Sequence, residues 1–344
     1  MGRKRVIIKI NKNDILQKNY KAIFWLARET QIAFPHLAEL LILREKQGSL
    51  DSEYAIQYLR KSDGGKRQIS APTEMLKFTQ SRIHRRILRQ IPVSPHAFGF
   101  SGGGIIKAIT PHLDSKTMLR VDCQNAFSSV GRDYLTMIFR DGRVTQIGGY
   151  DENTWFKVLE YGLFSSSAAR IILDLTLFDG HLPQGAPTSP RMFDIACCWM
   201  DERLAKLAQR VGGVYTRYAD NIFFSLKKRE IFDRSLARAI LKIIRGRRSH
   251  SPGFYWHKLR VVKLGQNAHR LLGLNLMANK IHNTRDFKRR LRKAIHHVNW
   301  LLDNDMHCDE AWNKLHGLMS FAVKDTLPAK LLAEYQKVKE RIDN

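Results

Sequence analysis

The spacing of apolar residues along the chain predicts helices in its first quarter and short strands after them. Apolar side chains recur at helical spacing over residues 13–48, where Pro35 interrupts the pattern, and again over residues 74–91. Between these segments, residues 54–72 read as two short strands joined by the turn 62–65. The amino-terminal third is therefore expected to combine helices with a β-hairpin.

Two later segments read as strands that lead into polar tips, MLRVDCQNAF (118–127) and GVYTRYADNIFFS (213–225). Between them, LPQGAPTSP (182–190) opens an apolar helix that ends near Leu207. The remaining predicted elements are a basic helix after about residue 233, a short paired segment at 271–277, and helices over 284–341. Strands and helices mixed in this order predict an α+β core followed by a helical carboxy-terminal domain.

The charge of the chain indicates a polyanionic partner. Its 344 residues include 58 Lys and Arg against 32 Asp and Glu, a formal net charge of +26, while 44% of residues are hydrophobic. That balance is typical of a folded protein, and nucleic acid is the usual partner of a folded protein this basic. An anionic membrane surface is the competing partner. However, no apolar run approaches the roughly 18 residues of a membrane span, and the amino terminus lacks a signal peptide's apolar region.

The four cysteines form no CxxC pair and no disulfide-rich framework, which favours a reducing compartment. From composition alone we expect a cytoplasmic protein that handles nucleic acid and does not associate with a membrane.

Asp122 and Asp220 each end an apolar stretch, where ordinary packing would prefer an aliphatic residue. Two carboxylates brought together by separate strands repel one another unless a cation lies between them, and Mg²⁺ prefers such oxygen ligands. The alternative is a pair of unrelated turn aspartates. Around Asp220, the sequence 218–221 would form a hairpin turn that places the carboxylate at its tip, although a plain β-hairpin would have the same pattern.

Three segments taken together resemble a known family. RYADNIFFS (217–225) resembles motif C of reverse transcriptases, and VDCQNAF (121–127) resembles motif A, an aspartate followed five residues later by an aromatic residue. LPQGAPTSP (182–190) matches motif B of the bacterial enzymes at nearly every position, and the order A, B, C is that of the family. KSDGGKRQISAP (61–72) and RDFKRRLRKAIHH (285–297) resemble retron-type segments. The resemblance extends over about residues 54–320 and is strongest to retron-type and related bacterial enzymes.

The resemblance implies that Asp122 and Asp220 hold two Mg²⁺ ions, with Mn²⁺ as the second option. The family usually has another aspartate where this chain has Asn221. Asn221 keeps a carbonyl oxygen for coordination but adds no charge, so the resemblance leaves it as a weaker metal ligand. Lys258 is the candidate for the lysine that protonates the departing pyrophosphate, and Lys263 is an equally plausible one from sequence.

The resemblance also implies a nucleotide pocket. Phe127 would lie under the incoming sugar and exclude a ribose 2′-hydroxyl, although a core phenylalanine would satisfy the same pattern. Gln184 and Gly185 would lie against the nucleotide. Lys61 and Arg67 would fold over the triphosphate, the alternative being a solvated basic hairpin.

Nucleic-acid contacts are expected at two basic clusters. The helix that begins near residue 285 would follow the phosphates of a template–primer duplex without reading its bases. The second cluster, which includes Arg247 and Arg248, would face a structured RNA. The residues expected to contact nucleic acid are Arg247, Arg248, Lys288, Arg289, Arg290, Arg292 and Lys293. In addition, the turn 272–274 fits a primer-grip turn.

The family implies a right-hand polymerase fold with amino-terminal helices. We expect a helical extension over 1–53, fingers over 54–117 and 140–205, a palm over 118–139 and 206–269, and a thumb over 270–344. The implied activity is RNA-directed DNA synthesis from deoxynucleoside triphosphates on a dedicated structured RNA that serves as template and primer, through an RNA–DNA hybrid. A retron or anti-phage defence system and a neighbouring effector or toxin protein are the implied setting.

Two departures from the retron pattern bear on the subtype. No NAxxH element occurs in residues 128–181, and Leu271-Leu272-Gly273 stands where a VTG triplet is usual. Two alternatives remain open from sequence. One is a non-catalytic nucleic-acid-binding scaffold in which Asn221 marks lost chemistry, and the other is a defence polymerase that makes repetitive or untemplated DNA.

Overall fold

The protein is described by a computed structural model over residues 12–60, 64–100, 104–141, 166–228, 231–246, 252–265 and 267–343. Within these ranges the α-helices are α1 (Lys12–Thr30), α2 (Phe34–Gln47), α3 (Glu74–Arg86), α4 (Gly104–Ile109), α5 (Arg132–Asp141), α6 (Ser166–Thr176), α7 (Ser189–Arg210), α8 (Arg234–Arg245), α9 (Arg285–Asp303), α10 (Asp309–Ser320) and α11 (Ala329–Asp343). The strands are β1 (Tyr54–Arg60), β2 (Lys66–Pro72), β3 (Thr117–Gln124), β4 (Gly213–Tyr218), β5 (Asn221–Leu226), β6 (Tyr255–Lys263), β7 (His269–Leu271), β8 (Leu274–Met277) and β9 (Lys280–Asn283).

A four-stranded antiparallel sheet in the order β4-β5-β3-β6 lies at the centre of the structure. Strand β3 is an inner strand, and its Leu119, Val121 and Cys123 are buried on one face. Because it pairs with both β5 and β6, a short apolar run is buried by neighbours from distant parts of the chain. This pairing brings the polar tips of the two predicted strands together.

Two smaller sheets flank the central one. Strands β1 and β2 form the predicted hairpin, with Tyr54 opposite Pro72 and Arg60 opposite Lys66. Strands β7, β8 and β9 form a three-stranded antiparallel sheet rather than the simple pair expected at 271–277.

The hydrophobic residues form three separate clusters. The largest joins α1, α2 and α3 to α6, α7 and α8 and to the buried face of the central sheet. A second cluster contains residues of α9, α10 and α11, among them Leu291, Leu315 and Val338. The third lies between the other face of the central sheet, through Met118 and Phe223, and the β7-β8-β9 sheet. The carboxy-terminal helices thus have a core of their own.

Most predicted elements are present, and the main omission is β6. Pro35 lies at the first turn of α2, where a proline is tolerated, so the predicted break is a helix start. Strand β6 was not predicted, because its sequence mixes charged and apolar residues without strict alternation. It is an edge strand, and Leu259 and Val261 are exposed along with Lys258, so neither face imposes an apolar pattern.

Candidate active site

The two aspartates meet at one end of the central sheet. Tyr218 pairs with Asn221, so Ala219 and Asp220 form a two-residue turn between β4 and β5, with Ala219 at a φ of +53°. Asp122 lies in β3 directly opposite Asn221. The backbone N–H of Cys123 donates to the carbonyl oxygen of Asp220 at 3.0 Å, which fixes the turn against the end of β3.

The electrostatics of the pair fit a divalent cation. Burial raises the pKa of the Asp220 carboxyl, and the negative charge of Asp122 raises it further. Hydrogen bonding and the positive charge of Arg67 act in the opposite direction without cancelling the rise. The two carboxylates therefore destabilise each other as charged groups, and a hard cation would relieve that repulsion.

Among the residues that the structure describes, no group of three or more His, Cys, Asp or Glu side chains could hold a metal ion by itself. This donor set fits Mg²⁺ in its usual arrangement, in which one or two carboxylates bind the ion together with waters and substrate phosphates. Asp122 and Asp220 are the described residues that would hold it.

Asn221 is oriented differently from the expected metal ligand. Its Oδ1 accepts a hydrogen bond from Nη2 of Arg120 at 2.9 Å, and its Nδ2 donates to Oδ1 of Asp220 at 3.1 Å. The oxygen expected to coordinate a cation is therefore already engaged with a guanidinium, and the other end of the amide is a donor that no cation binds.

Phe127, five residues after Asp122, lies in a row of aromatic rings. Its ring stacks on Phe193 of α7 with centroids 4.9 Å apart, and Phe100 meets its other side edge-on at 5.9 Å. Phe127 is only half-buried, which distinguishes it from the fully buried Phe193 beneath it. A ring held on two sides and partly open has the rigidity that a steric gate needs.

The motif B loop lies against the β1–β2 hairpin. The backbone N–H of Ser70 donates to the carbonyl oxygen of Gln184 at 2.7 Å. Gly185 has a φ of +124°, and a Cβ there would lie 3.0 Å from both the Ser70 carbonyl oxygen and the Ile69 side chain. This glycine is thus required by its approach to β2, in addition to the nucleotide contact that the resemblance implies.

On the hairpin itself, Arg67 is exposed in β2, and its positive charge lowers the pKa of the Asp220 carboxyl, as the smallest of the influences on that group. Its expected companion Lys61 lies outside the described residues. Of the two residues expected to bind the triphosphate, the structure thus describes Arg67 alone.

The sheet register separates the two candidate lysines. Lys258 of β6 lies directly opposite Asp122, whereas Lys263 lies opposite Thr117, five residues and about 17 Å further along the strand. Residues opposite one another in an antiparallel pair point to the same face of the sheet. Lys258 is therefore the lysine that lies beside the aspartates.

Two supports of the turn that carries Asp220 were not predicted from the sequence. Arg217 is fully buried and forms ion pairs with Asp194 (3.0 Å) and Asp201 (2.8 Å) of α7, and its Nη1 also donates to the carbonyl oxygen of Ala219 at 3.0 Å. The second support is Gly99, whose Cα lies against the backbone of Ala219. The sequence contains both residues, an arginine two positions before the turn and a glycine within SPHAFGFSGG (94–103), but it does not show the contacts that give them a role.

The basic helix presents its charges to solvent. Thr284 caps α9 by accepting from the N–H of Phe287, and Leu291, Ile295 and Val298 bury one face. The side chains of Arg289, Arg290, Arg292 and Lys293 lie away from that face and are exposed, whereas Lys288, three positions before Leu291, is half-buried at its border. Arg289 is paired with Asp286 at 3.1 Å. The other basic cluster, Arg247 and Arg248, lies outside the described residues.

The expected primer-grip turn joins β7 to β8. Leu271 pairs with Leu274, so Leu272 and Gly273 form a two-residue turn in which both have positive φ, +49° and +85°.

Across the part of the chain that the structure describes, no helix is long and apolar enough to cross a membrane.

Comparison with known proteins adds the following. Residues 59–276 match the family model described as reverse transcriptase (RNA-dependent DNA polymerase). The retron Mx162 reverse transcriptase of Myxococcus xanthus is 30% identical over 298 residues, 81% of this chain and 59% of that protein. The retron Mx65 reverse transcriptase of the same organism is 32% identical over 247 residues, 69% of this chain and 54% of that protein. The chain thus spans less than two thirds of the length of these two relatives. Among solved structures, telomerase from Candida albicans with a fragment of telomeric RNA matches with a TM-score of 0.43 and 11% identity over 83% of this chain and 54% of that chain.

Proposed function

Because this chain belongs to the reverse transcriptase family, we propose that it is an RNA-directed DNA polymerase that copies a structured RNA by two-metal nucleotidyl transfer. The observation that carries the proposal is the meeting of Asp122 and Asp220 at one end of a single sheet, within the residues that match the family model. The expected α+β right-hand fold and the retron-type resemblance are confirmed by that match and by the retron relatives.

In the proposed reaction the primer 3′-hydroxyl oxygen bonds to the α-phosphorus of a deoxynucleoside triphosphate while the bond to the β-phosphate breaks. Asp122 and Asp220 would hold the divalent ions, which would supply the Lewis acidity for attack and departure. The hydroxyl proton leaves to solvent, and Lys258 donates a proton to the departing pyrophosphate. Positioning and charge neutralisation carry most of this chemistry.

The nucleotide would lie between the hairpin and the aromatic row. Arg67 offers a two-pronged donor to phosphate oxygens, and Lys61 would assist it. Phe127 would exclude a ribose 2′-hydroxyl because Phe100 and Phe193 prevent its ring from turning aside. Gln184 and Gly185 would border the same space.

The duplex would follow the exposed basic face of α9. Its arginines and lysines contact phosphates without reading sequence, and an RNA–DNA hybrid, close to A-form, suits recognition by shape. We assign α9–α11, which have their own core, to the thumb, the central sheet to the palm, and the β1–β2 hairpin to the fingers. The proposed setting is a retron or anti-phage system with an effector protein. In that setting the protein would contact its cognate RNA through Arg247 and Arg248.

The test is to sequence the nucleic acid that copurifies with the protein and to assay primer extension on a primed RNA with Mg²⁺ or Mn²⁺. The proposal expects a discrete DNA joined to RNA that RNase and DNase shorten in separate steps, together with templated extension. A product of one repeated base would instead identify a repetitive or untemplated polymerase. Heterogeneous RNA without DNA, and no extension, would identify a non-catalytic scaffold.

A further inference from the structure

Arg120 lies in β3 two residues before Asp122 and on the same face of the sheet. Its guanidinium makes contacts in two directions. Nη2 donates to Oδ1 of Asn221 at 2.9 Å, and Nη1 reaches the carbonyl oxygen of Arg270 in β7 at 3.5 Å. The guanidinium carbon also lies 5.9 Å from the centre of the Phe223 ring. Arg120 is thus held from three sides beside the catalytic turn.

The orientation of the Asn221 amide is determined by its two neighbours. A guanidinium has only donors, so the atom that faces Arg120 must be the amide oxygen. An ionised carboxylate has only acceptors, so the atom that faces Asp220 must be the amide nitrogen, here 3.1 Å from its Oδ1. A flipped amide would set donor against donor and acceptor against acceptor. The order Arg120, Asn221, Asp220 is therefore a directed chain of hydrogen bonds.

We propose that Arg120 is a positioning residue that acts through Asn221 to hold the Asp220 carboxylate, and that Asn221 is this link rather than a metal ligand. The inference rests on the proposed function, because it concerns the same two aspartates. A charged donor on Oδ1 polarises the amide and strengthens the N–H···O bond at its other end. The Oδ1 atom of Asp220 is thereby fixed in position, and with it the orientation of the carboxylate that would hold a cation.

This role predicts that removal of Arg120 weakens metal binding, whereas its charge alone predicts that removal strengthens it. Arg120 is a positive charge near a cation site, so removing it would by charge alone tighten metal binding whatever residue stands at 221. If Arg120 acts through Asn221, removing it weakens metal binding while Asn221 is present. In an Asn221→Ala background the link is already gone, and the same substitution leaves metal binding unchanged or tightens it.

The experiment is a double-mutant cycle on the full chain with Mn²⁺ alone as the probe. The variants are Arg120→Met, Asn221→Ala and the two combined, and Mn²⁺ affinity is measured from the free-ion electron paramagnetic resonance signal without nucleotide. We expect Arg120→Met to weaken Mn²⁺ binding about fivefold to tenfold with Asn221 present, and to cause no loss in the Asn221→Ala background. Asp220→Asn establishes that the titrated ion is the one at this site.

The matched control is Arg260→Met. Arg260 lies opposite Arg120 on β6 and is exposed. Its substitution therefore removes the same charge at the same level of the sheet. It should leave Mn²⁺ affinity unchanged or slightly tighter. Arg120→Lys is the second variant, which keeps a donor for Oδ1 and should restore most of the affinity. Thermal unfolding without metal, with a midpoint unchanged from the parent, shows that each variant is folded.

The inference would be overturned if Arg120→Met tightened Mn²⁺ binding in both backgrounds. It would also be overturned if the double variant lost affinity by the product of the two single losses, which is an additive cycle in free energy. If the parent both binds Mn²⁺ and extends primers while the cycle is additive, only the role of Arg120 is wrong. If the parent neither binds Mn²⁺ nor extends primers, the proposed function fails and the inference with it.

Discussion

Gly99 packs against Ala219 so closely that a Cβ on Gly99 would lie 2.3 Å from the Ala219 backbone nitrogen. The same segment pairs with β4, since the N–H of Phe98 donates to the carbonyl oxygen of Arg217 at 2.8 Å. The residues 96–99 therefore support the back of the turn that carries Asp220. No side chain fits at this position unless the turn moves.

We accordingly expect Gly99→Ala to reduce primer extension by about a hundredfold, because it displaces the turn that presents Asp220. The free energy of unfolding should fall by about 1–3 kcal/mol, as for other overpacked sites. The matched control is Gly317→Ala in α10, where a Cβ meets nothing within 4 Å, and this substitution should leave synthesis unchanged. Full activity in Gly99→Ala would contradict the contact.

Asp122→Asn and Asp220→Asn should each reduce DNA synthesis by about a thousandfold or more, since each keeps the side-chain shape and removes a carboxylate that would hold the metal ions. Nucleic-acid binding, measured by fluorescence anisotropy, should be nearly unchanged, because no phosphate contact is lost. Asp133→Asn, an exposed position at the start of α5, serves as the control. If Asp220→Asn extends primers like the parent, the site assignment is wrong.

Phe127→Val should lower the discrimination against ribonucleotides by about tenfold or more, because the smaller side chain leaves room for a 2′-hydroxyl. Competing incorporation of ribo- and deoxyribonucleotides measures this ratio. Phe254→Leu is the matched control, because Phe254 is buried and its ring centroid lies 5.7 Å from that of Phe193. A ratio that changes equally in both variants would make Phe127 an ordinary packing residue.

Lys258→Gln should lower kcat by about a hundredfold, and Lys263→Gln should have little effect. The two lysines lie on the same strand, but only Lys258 is opposite Asp122. Single-turnover extension under saturating nucleotide separates the chemical step from binding. Equal losses in the two variants would point to a shared phosphate contact instead of proton donation.

The burial of His112 predicts that the free energy of unfolding falls in acid. Burial lowers the pKa of His112 to about 3, and its ring lies between the hydroxyl oxygens of Ser225 (2.7 Å) and Thr216 (2.8 Å). Below about pH 6.5 the unfolded chain binds a proton at His112 that the folded protein does not, so stability is lost as pH falls from there toward about 3. The slope approaches about 1.4 kcal/mol per pH unit.

Urea unfolding at pH 6.5 and pH 5 measures this loss, of which His112→Gln should remove about 1.5 kcal/mol. His307→Gln is the control for removal of a histidine from an exposed position. An unchanged slope in His112→Gln would assign the acid sensitivity to other groups.

How far the sequence predicts the site depends on how local each signal is. The apolar runs beside Asp122 and Asp220 are sufficient to predict β3 and the β4–β5 hairpin, because burial on an inner strand imposes an apolar pattern. Strand β6, and with it the choice between Lys258 and Lys263, was not predictable, because an exposed edge strand carries no such pattern.

The contacts that orient the site are less local still. Arg120 and Asn221 are 101 positions apart, and their hydrogen bond exists only because β3 pairs with β5. Neither residue, as a residue type in the sequence, indicates that the other is its partner. From sequence, Asn221 therefore looks like a weakened copy of an aspartate, whereas its amide makes two directed bonds that a carboxylate could not make together.

The separate cores imply an order of assembly during synthesis. In the described ranges, the largest cluster is built from residues up to Trp256, and the cluster of α9, α10 and α11 begins at Phe287. As a chain emerges from the ribosome, units that have all their packing partners fold first. The sheet with its aspartates can therefore fold before α9, α10 and α11 have left the exit tunnel, and the helix proposed to follow the duplex forms only after the site that it would serve.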